Sequence, residues 1–75
     1  MRYTAEAFCG PGGRRYHIRD KAVPNRYKSL CGGVVLDDCR DTMIVTWDDE
    51  PPQQAPDGIC SYCWEMLREQ QEANG

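Results

Sequence analysis

At 75 residues, with a net charge of −3 and five cysteines, the chain has room for one domain at most. So short a chain buries only about 60% of its unfolded surface, and ordering it costs about 1.5 kcal/mol per residue, nearly cancelling the gain from the core. That excludes a fold held by hydrophobic burial alone and points to disulfides, a metal or a partner chain.

No signal sequence opens the chain, and no apolar run approaches the ~18 residues needed to cross a membrane. The expectation is a cytoplasmic protein, where thiols stay reduced and clustered cysteines hold metal rather than disulfides. An odd number of cysteines agrees, since a disulfide framework would leave one unpaired. The charge is divided. Residues 1–30 carry seven Arg or Lys against two acids, and residues 31–75 two Arg against ten acids. Such asymmetry fits a nucleic-acid or partner-binding face, or charges that cancel across one small fold.

In chain order, residues 1–8 (MRYTAEAF) show no clear period, and Cys9-Gly10-Pro11-Gly12-Gly13 is a turn signal. Residues 1–13 are therefore expected to be a flexible N-terminal segment ahead of a single zinc-binding domain, 14–75. Arg14–Asp20 alternates Tyr16 and Ile18 with Arg15, His17 and Arg19, as a strand does. Ala22-Val23-Pro24-Asn25 reads as a turn, and Tyr27–Cys31 leads into Gly32-Gly33, where the chain can bend sharply. Val34-Val35-Leu36 reads as a short buried strand, and Asp37–Asp41 as a polar turn. Thr42–Trp47 has the strongest strand pattern.

Asp48–Gly58 is acidic, and Pro51, Pro52 and Pro56 forbid a regular element. From Ser61 onward the chain reads as a helix. Cys60, Cys63, Trp64 and Leu67 fall on one stripe, with Glu65, Arg68, Glu69 and Glu72 turned outward. Trp47 and Trp64 read as core residues. The fold class expected is α+β: a small zinc-stabilised antiparallel sheet of about three strands followed by one C-terminal helix, zinc-finger or zinc-ribbon-like.

The chemistry lies in the cysteines. Structural zinc takes four ligands at tetrahedral corners, and Cys60-x-x-Cys63 supplies two. Its position at a helix start favours thiolates. Cys31 is the third, because Leu-Cys-Gly-Gly resembles half of a zinc knuckle. The fourth is His17, Cys39 or Cys9, ranked in that order. A hairpin brings His17 back to Cys31, an extended strand carries Cys39 away from it, and Cys9 would have to be ordered at an entropic cost.

His17, Leu30-Cys31-Gly32, Trp47 and Cys60-x-x-Cys63, in that order, resemble the small uncharacterised zinc-binding proteins of actinobacteria and their bacteriophages. The resemblance spans roughly residues 14–66. It implies one structural zinc on His17, Cys31, Cys60 and Cys63, no assigned activity, and the host cytoplasm if the chain is phage-encoded. Cys9, Cys39 and the acidic insert at 48–58 depart from that pattern.

No H-E-x-x-H or H-x-E…P-C-x-x-C arrangement offers an open catalytic zinc with its base. Cys60-x-x-Cys63 lies too near the C-terminus for a thioredoxin-like unit, and CGPGGRR lacks the G-K-[ST] ending of a phosphate loop. The expectation is a non-enzymatic zinc module that binds another protein, a regulatory or host-interaction factor. It would use Asp48, Asp49, Glu50 and the exposed helix face, with no small-molecule substrate and no membrane. The alternative is a nucleic-acid-binding regulator using Arg14, Arg15, Arg19, Lys21, Arg26 and Lys28.

Overall fold

The computed structural model describes the backbone of residues 2–74 and side chains as far as Glu72. The described residues form five strands and one helix in the order β1 (Arg2–Phe8), β2 (His17–Ile18), β3 (Tyr27–Lys28), β4 (Val35–Leu36), β5 (Thr42–Asp48) and α1 (Ser61–Asn74). They form a three-stranded antiparallel sheet, β2-β1-β5, and a two-stranded one, β3-β4. The class is α+β, as the sequence leads one to expect.

The N-terminal segment is the main correction. Residues 2–8 are not a flexible leader but the central strand, paired with all of β5 from Arg2↔Asp48 to Phe8↔Thr42. Ala5, Ala7 and Phe8 are buried there. Alanine has low strand propensity, so the alternation of Tyr3, Ala5 and Ala7 against Arg2, Thr4 and Glu6 is a faint signal. It is the small size of the alanines that matters, because the ring of Trp64 must pack in the same core cluster. Met1 and Gly75, the outer bounds of the expected division, lie outside the described residues.

Two further differences concern the short strands. Strand pairing over 14–20 is confined to His17–Ile18, with single bridges at Tyr16↔Ile59 and Arg19↔Ser29. The strand at 34–36 is not buried, and Val35 is half exposed at 51%. No described element covers its outer side, so an apolar triplet alone does not place it in the core.

The core lies between the three-stranded sheet and α1. Trp47 of β5 meets Trp64 of α1 edge-to-face, with ring centroids 5.8 Å apart, and Tyr3 stacks on Trp47 from β1. Trp64 Nε1 donates to the Pro52 carbonyl at 2.7 Å, which ties the proline-rich loop over the helix. Trp47 Nε1 is buried with no partner among the described residues. Arg68, expected to face outward, instead lies half-buried and reaches the Gln53 carbonyl.

The Cys9 N–H donates to the Asp41 carbonyl at 2.9 Å, one residue beyond the strand ends. By the alternation of an antiparallel ladder, odd-numbered residues of β5 turn their backbone groups toward β1, while Thr42, Ile44 and Thr46 turn theirs away. Among the described residues no strand covers that outer side.

Candidate metal centre

His17, Cys31, Cys60 and Cys63 meet at one point, each offering a donor atom, and these atoms all lie within 4.8 Å of one another. Three backbone devices bring them there. The first is a hairpin: the Arg19↔Ser29 bridge and the Leu30 N–H on the Ile18 carbonyl (2.9 Å) return the chain from β2 to Cys31. The second is the knuckle after it. Ser29 N–H donates to the Val34 carbonyl and Gly32 N–H to the Ser29 carbonyl, with Gly32 at φ +78°, a value that favours glycine.

The third device is the helix entry. The Tyr16 N–H donates to the Gly58 carbonyl (2.7 Å), and the Cys60 N–H donates to the Tyr16 carbonyl (2.8 Å). Cys60 is thereby laid beside His17. The Trp64 N–H on the Cys60 carbonyl (3.0 Å) then closes the first helical turn and presents Cys63 to the same point. Gly58, at φ +86°, makes the bend into that segment possible.

The separations fit a tetrahedral ion. Metal–sulfur bonds of about 2.3 Å and metal–nitrogen bonds of about 2.0 Å require donors about 3.5–3.8 Å apart. His17 Nδ1 lies 3.8 Å from Cys31 Sγ and 3.7 Å from Cys63 Sγ. Cys60 and Cys63 are buried and His17 and Cys31 partly so, and His17 and Cys60 line an open cleft that also touches Gly10, Arg14 and Arg15.

The two best-connected sulfurs differ in charge. Burial opposes ionisation of Cys31, but hydrogen bonds from the Ser29 hydroxyl, the Gly33 N–H, Cys63 and His17 outweigh it and bring the thiol down to about 6. Burial pushes the Cys63 thiol up to about 12, with Cys31 and Cys60 adding to it against backbone N–H groups of Cys31 and Ile18. The first negative charge thus settles on Cys31 and the second is resisted next door. A cation between them removes that resistance, because it stabilises both thiolates at once.

Sequence reasoning missed Ser29. It is fully buried, its hydroxyl lies 3.3 Å from Cys31 Sγ, and it accepts the Val34 N–H at 3.1 Å. A hydroxyl residue two positions before a Cys-Gly-Gly knuckle is the only signal for it. Cys39 and Cys9, the other candidates for fourth ligand, lie elsewhere. Cys39 Sγ sits on the Cys9 carbonyl, and Cys9 Sγ on that of Gly13.

The basic residues do not form one array. Arg19 is pinned by Glu6 at 3.0 Å, by the Pro24 and Arg26 carbonyls and by the Tyr27 ring beneath it. Arg26 pairs with Asp37. Lys28 is half-buried, whereas Arg14, Arg15 and Lys21 are exposed. Of the acidic residues, Asp48 pairs with Arg2 at 3.8 Å, and Asp49 and Glu50 border an open cleft of about 620 Å³ with Tyr3, Pro51 and Arg68.

Comparison with protein-family models, curated proteins and solved structures gives no match. No described helix is long and apolar enough to cross a membrane. The chain is thus defined by its own features: a small α+β protein with a three-cysteine, one-histidine group that can hold a metal ion.

Proposed function

We propose that the chain is a non-enzymatic structural zinc module whose folded surface binds another protein. The observation that carries the metal assignment is the donor set. Three sulfurs and one imidazole nitrogen converge within 4.8 Å, which suits zinc and fills all four tetrahedral positions with protein atoms. His17, Cys31, Cys60 and Cys63 would hold one Zn²⁺, and the ion would supply folding free energy on the order of 10 kcal/mol.

The binding surface is the cleft where the acidic turn meets α1. Asp49, Glu50 and Glu72 outweigh Arg68 and leave it negative, and Tyr3 and Pro51 give it apolar ground. Its complement is a basic segment of another protein carrying an apolar side chain. The nucleic-acid reading loses ground because Arg19 and Arg26 are spent on intramolecular partners.

Two measurements test this. Native mass spectrometry is expected to find one zinc per chain. A tagged chain with Asp48, Asp49 and Glu50 all changed to alanine is expected to lose the protein that the wild type captures. Unchanged capture would rule out the acidic cleft, and a chain that stays folded and metal-free would rule out the structural zinc.

A further inference from the structure

Two of the five cysteines take no part in the metal cluster, and the fold sets them side by side. Cys9 follows β1 and Cys39 precedes β5, where the Cys9 N–H on the Asp41 carbonyl holds the two segments together. Cys39 Sγ lies 3.3 Å from the Cys9 carbonyl oxygen, and Cys9 Sγ lies 3.3 Å from the Gly13 carbonyl oxygen. Both sulfurs thus rest against the backbone around Cys9. Both also line one open cleft of about 460 Å³, walled by the loop Gly10–Gly13 and by Asp41.

We propose that Cys9 and Cys39 form a reversible dithiol–disulfide couple, separate from the metal-binding cysteines and oxidised by a low-molecular-weight disulfide. A second metal site is the weaker reading of the same residues. Among the described residues, only the cluster at His17 gathers three or more donors closely enough to hold an ion, and Cys9, Cys39 and Asp41 do not.

The chemistry divides between the two thiols by exposure. Cys39 is partly open to the cleft, whereas Cys9 is 7% exposed. The Cys39 thiolate attacks one sulfur of the small disulfide, forming a mixed disulfide and releasing one small thiolate, which takes up a proton. The Cys9 thiol, giving up its proton as it attacks, then bonds to the Cys39 sulfur; the mixed disulfide breaks, and the second small molecule leaves as a thiolate that takes up that proton. The protein gives up two electrons and two protons, and the small disulfide receives both. Cys9 suits the second step. Burial first, then the charges of Asp41 and Cys39, push its thiol up, so it reacts by proximity rather than as a free thiolate.

The surroundings permit the small movement that the bond requires. Cys39 lies in the irregular segment between β4 and β5, and Cys9 opens a glycine-rich loop with Gly12 at φ +75°. The closed ring would span 30 positions and enclose His17 and Cys31, leaving Cys60 and Cys63 outside it.

The test uses the full chain with its metal, incubated with oxidised glutathione, alkylated and mapped by mass spectrometry. The expected product is lighter by two hydrogens, links Cys9 to Cys39, and retains its metal. Cys9→Ser should stop at glutathione on Cys39, and Cys39→Ser should leave Cys9 reduced over the same interval. Wild type that stops at the mixed disulfide, stays unreacted, or links through Cys31, Cys60 or Cys63 with loss of metal overturns the proposal. If Cys9→Ser does not fold by circular dichroism, Cys39→Ser decides: oxidation of Cys9 without Cys39 refutes the pairing.

Discussion

His17 Nδ1 and Cys63 Sγ lie 3.7 Å apart, although 46 positions separate them in the chain. That contact joins the edge strand of the sheet to the first turn of α1, and with Cys31 and Cys60 it ties the hairpin to the helix entry. The candidate metal group therefore bridges three segments that otherwise share a modest core, and several consequences can be measured.

Chelation should unfold the chain. With the ion removed, Cys31 and Cys63 face each other with one charge welcomed and the other resisted, and the core is too small to compensate. Circular dichroism during titration with a strong chelator is expected to show loss of helix and sheet in one transition. Cys63→Ser should behave like the chelated chain, and Cys39→Ser like the wild type.

Gly32 should resist substitution more than its exposure suggests. At φ +78° a side chain costs about 1–2 kcal/mol, although nothing lies within 4 Å of the position its Cβ would take. Gly32→Ala is expected to lower the thermal midpoint and weaken metal retention, because the same turn sets Cys31. Gly12→Ala, with similar φ but outside the knuckle, should cost stability without changing metal affinity.

The two tryptophans should respond differently to the same change. Trp64→Phe removes volume and a hydrogen bond to Pro52, whereas Trp47→Phe removes volume and a donor that has no partner among the described residues. Urea unfolding is expected to find Trp64→Phe the more damaging by about 1 kcal/mol. Equal losses would mean that the Pro52 bond adds nothing.

Tyr16 should ionise late. Its hydroxyl donates to Asp41, which holds the phenol above its usual range, with burial and then the charge of Asp41 adding to the effect. Because the folded value is the raised one, this contribution to stability is complete below the ordinary tyrosine range and is lost as pH rises through the folded value. Ultraviolet titration should show one tyrosine ionising after the rest, and Asp41→Asn should bring it forward.

The candidate metal group was largely legible in the sequence, as were the α+β class, β5 and α1, and the central strand was not. Cys60-x-x-Cys63 and Leu30-Cys31-Gly32-Gly33 announce themselves because metal chemistry demands particular side chains at particular spacings. His17 could be ranked first because a turn between it and Cys31 implies a hairpin. The central strand was hidden because Ala5 and Ala7 carry little hydrophobic contrast, yet they are buried in one core cluster with a tryptophan that the sequence places far away. Val34-Val35-Leu36 misled for the opposite reason, since apolar character does not say whether another element arrives to cover it. Ser29 and the contact between Cys9 and Cys39 depend on tertiary placement that no local pattern encodes.

The outer side of β5 is a template as well as a boundary. Thr42, Ile44 and Thr46 direct their backbone groups away from β1, and the strand contains neither proline nor lysine to discourage another chain from adding to it. What guards it stands at its ends, with Arg40 and Asp41 before it, Asp48 as its last residue, and Asp49 and Glu50 after it. An incoming strand meets charge at either mouth, and only the stretch from Thr42 to Trp47 between them is neutral. The acidic turn therefore also acts as a gatekeeper against self-assembly, and neutralising it exposes the chain to growth along that edge.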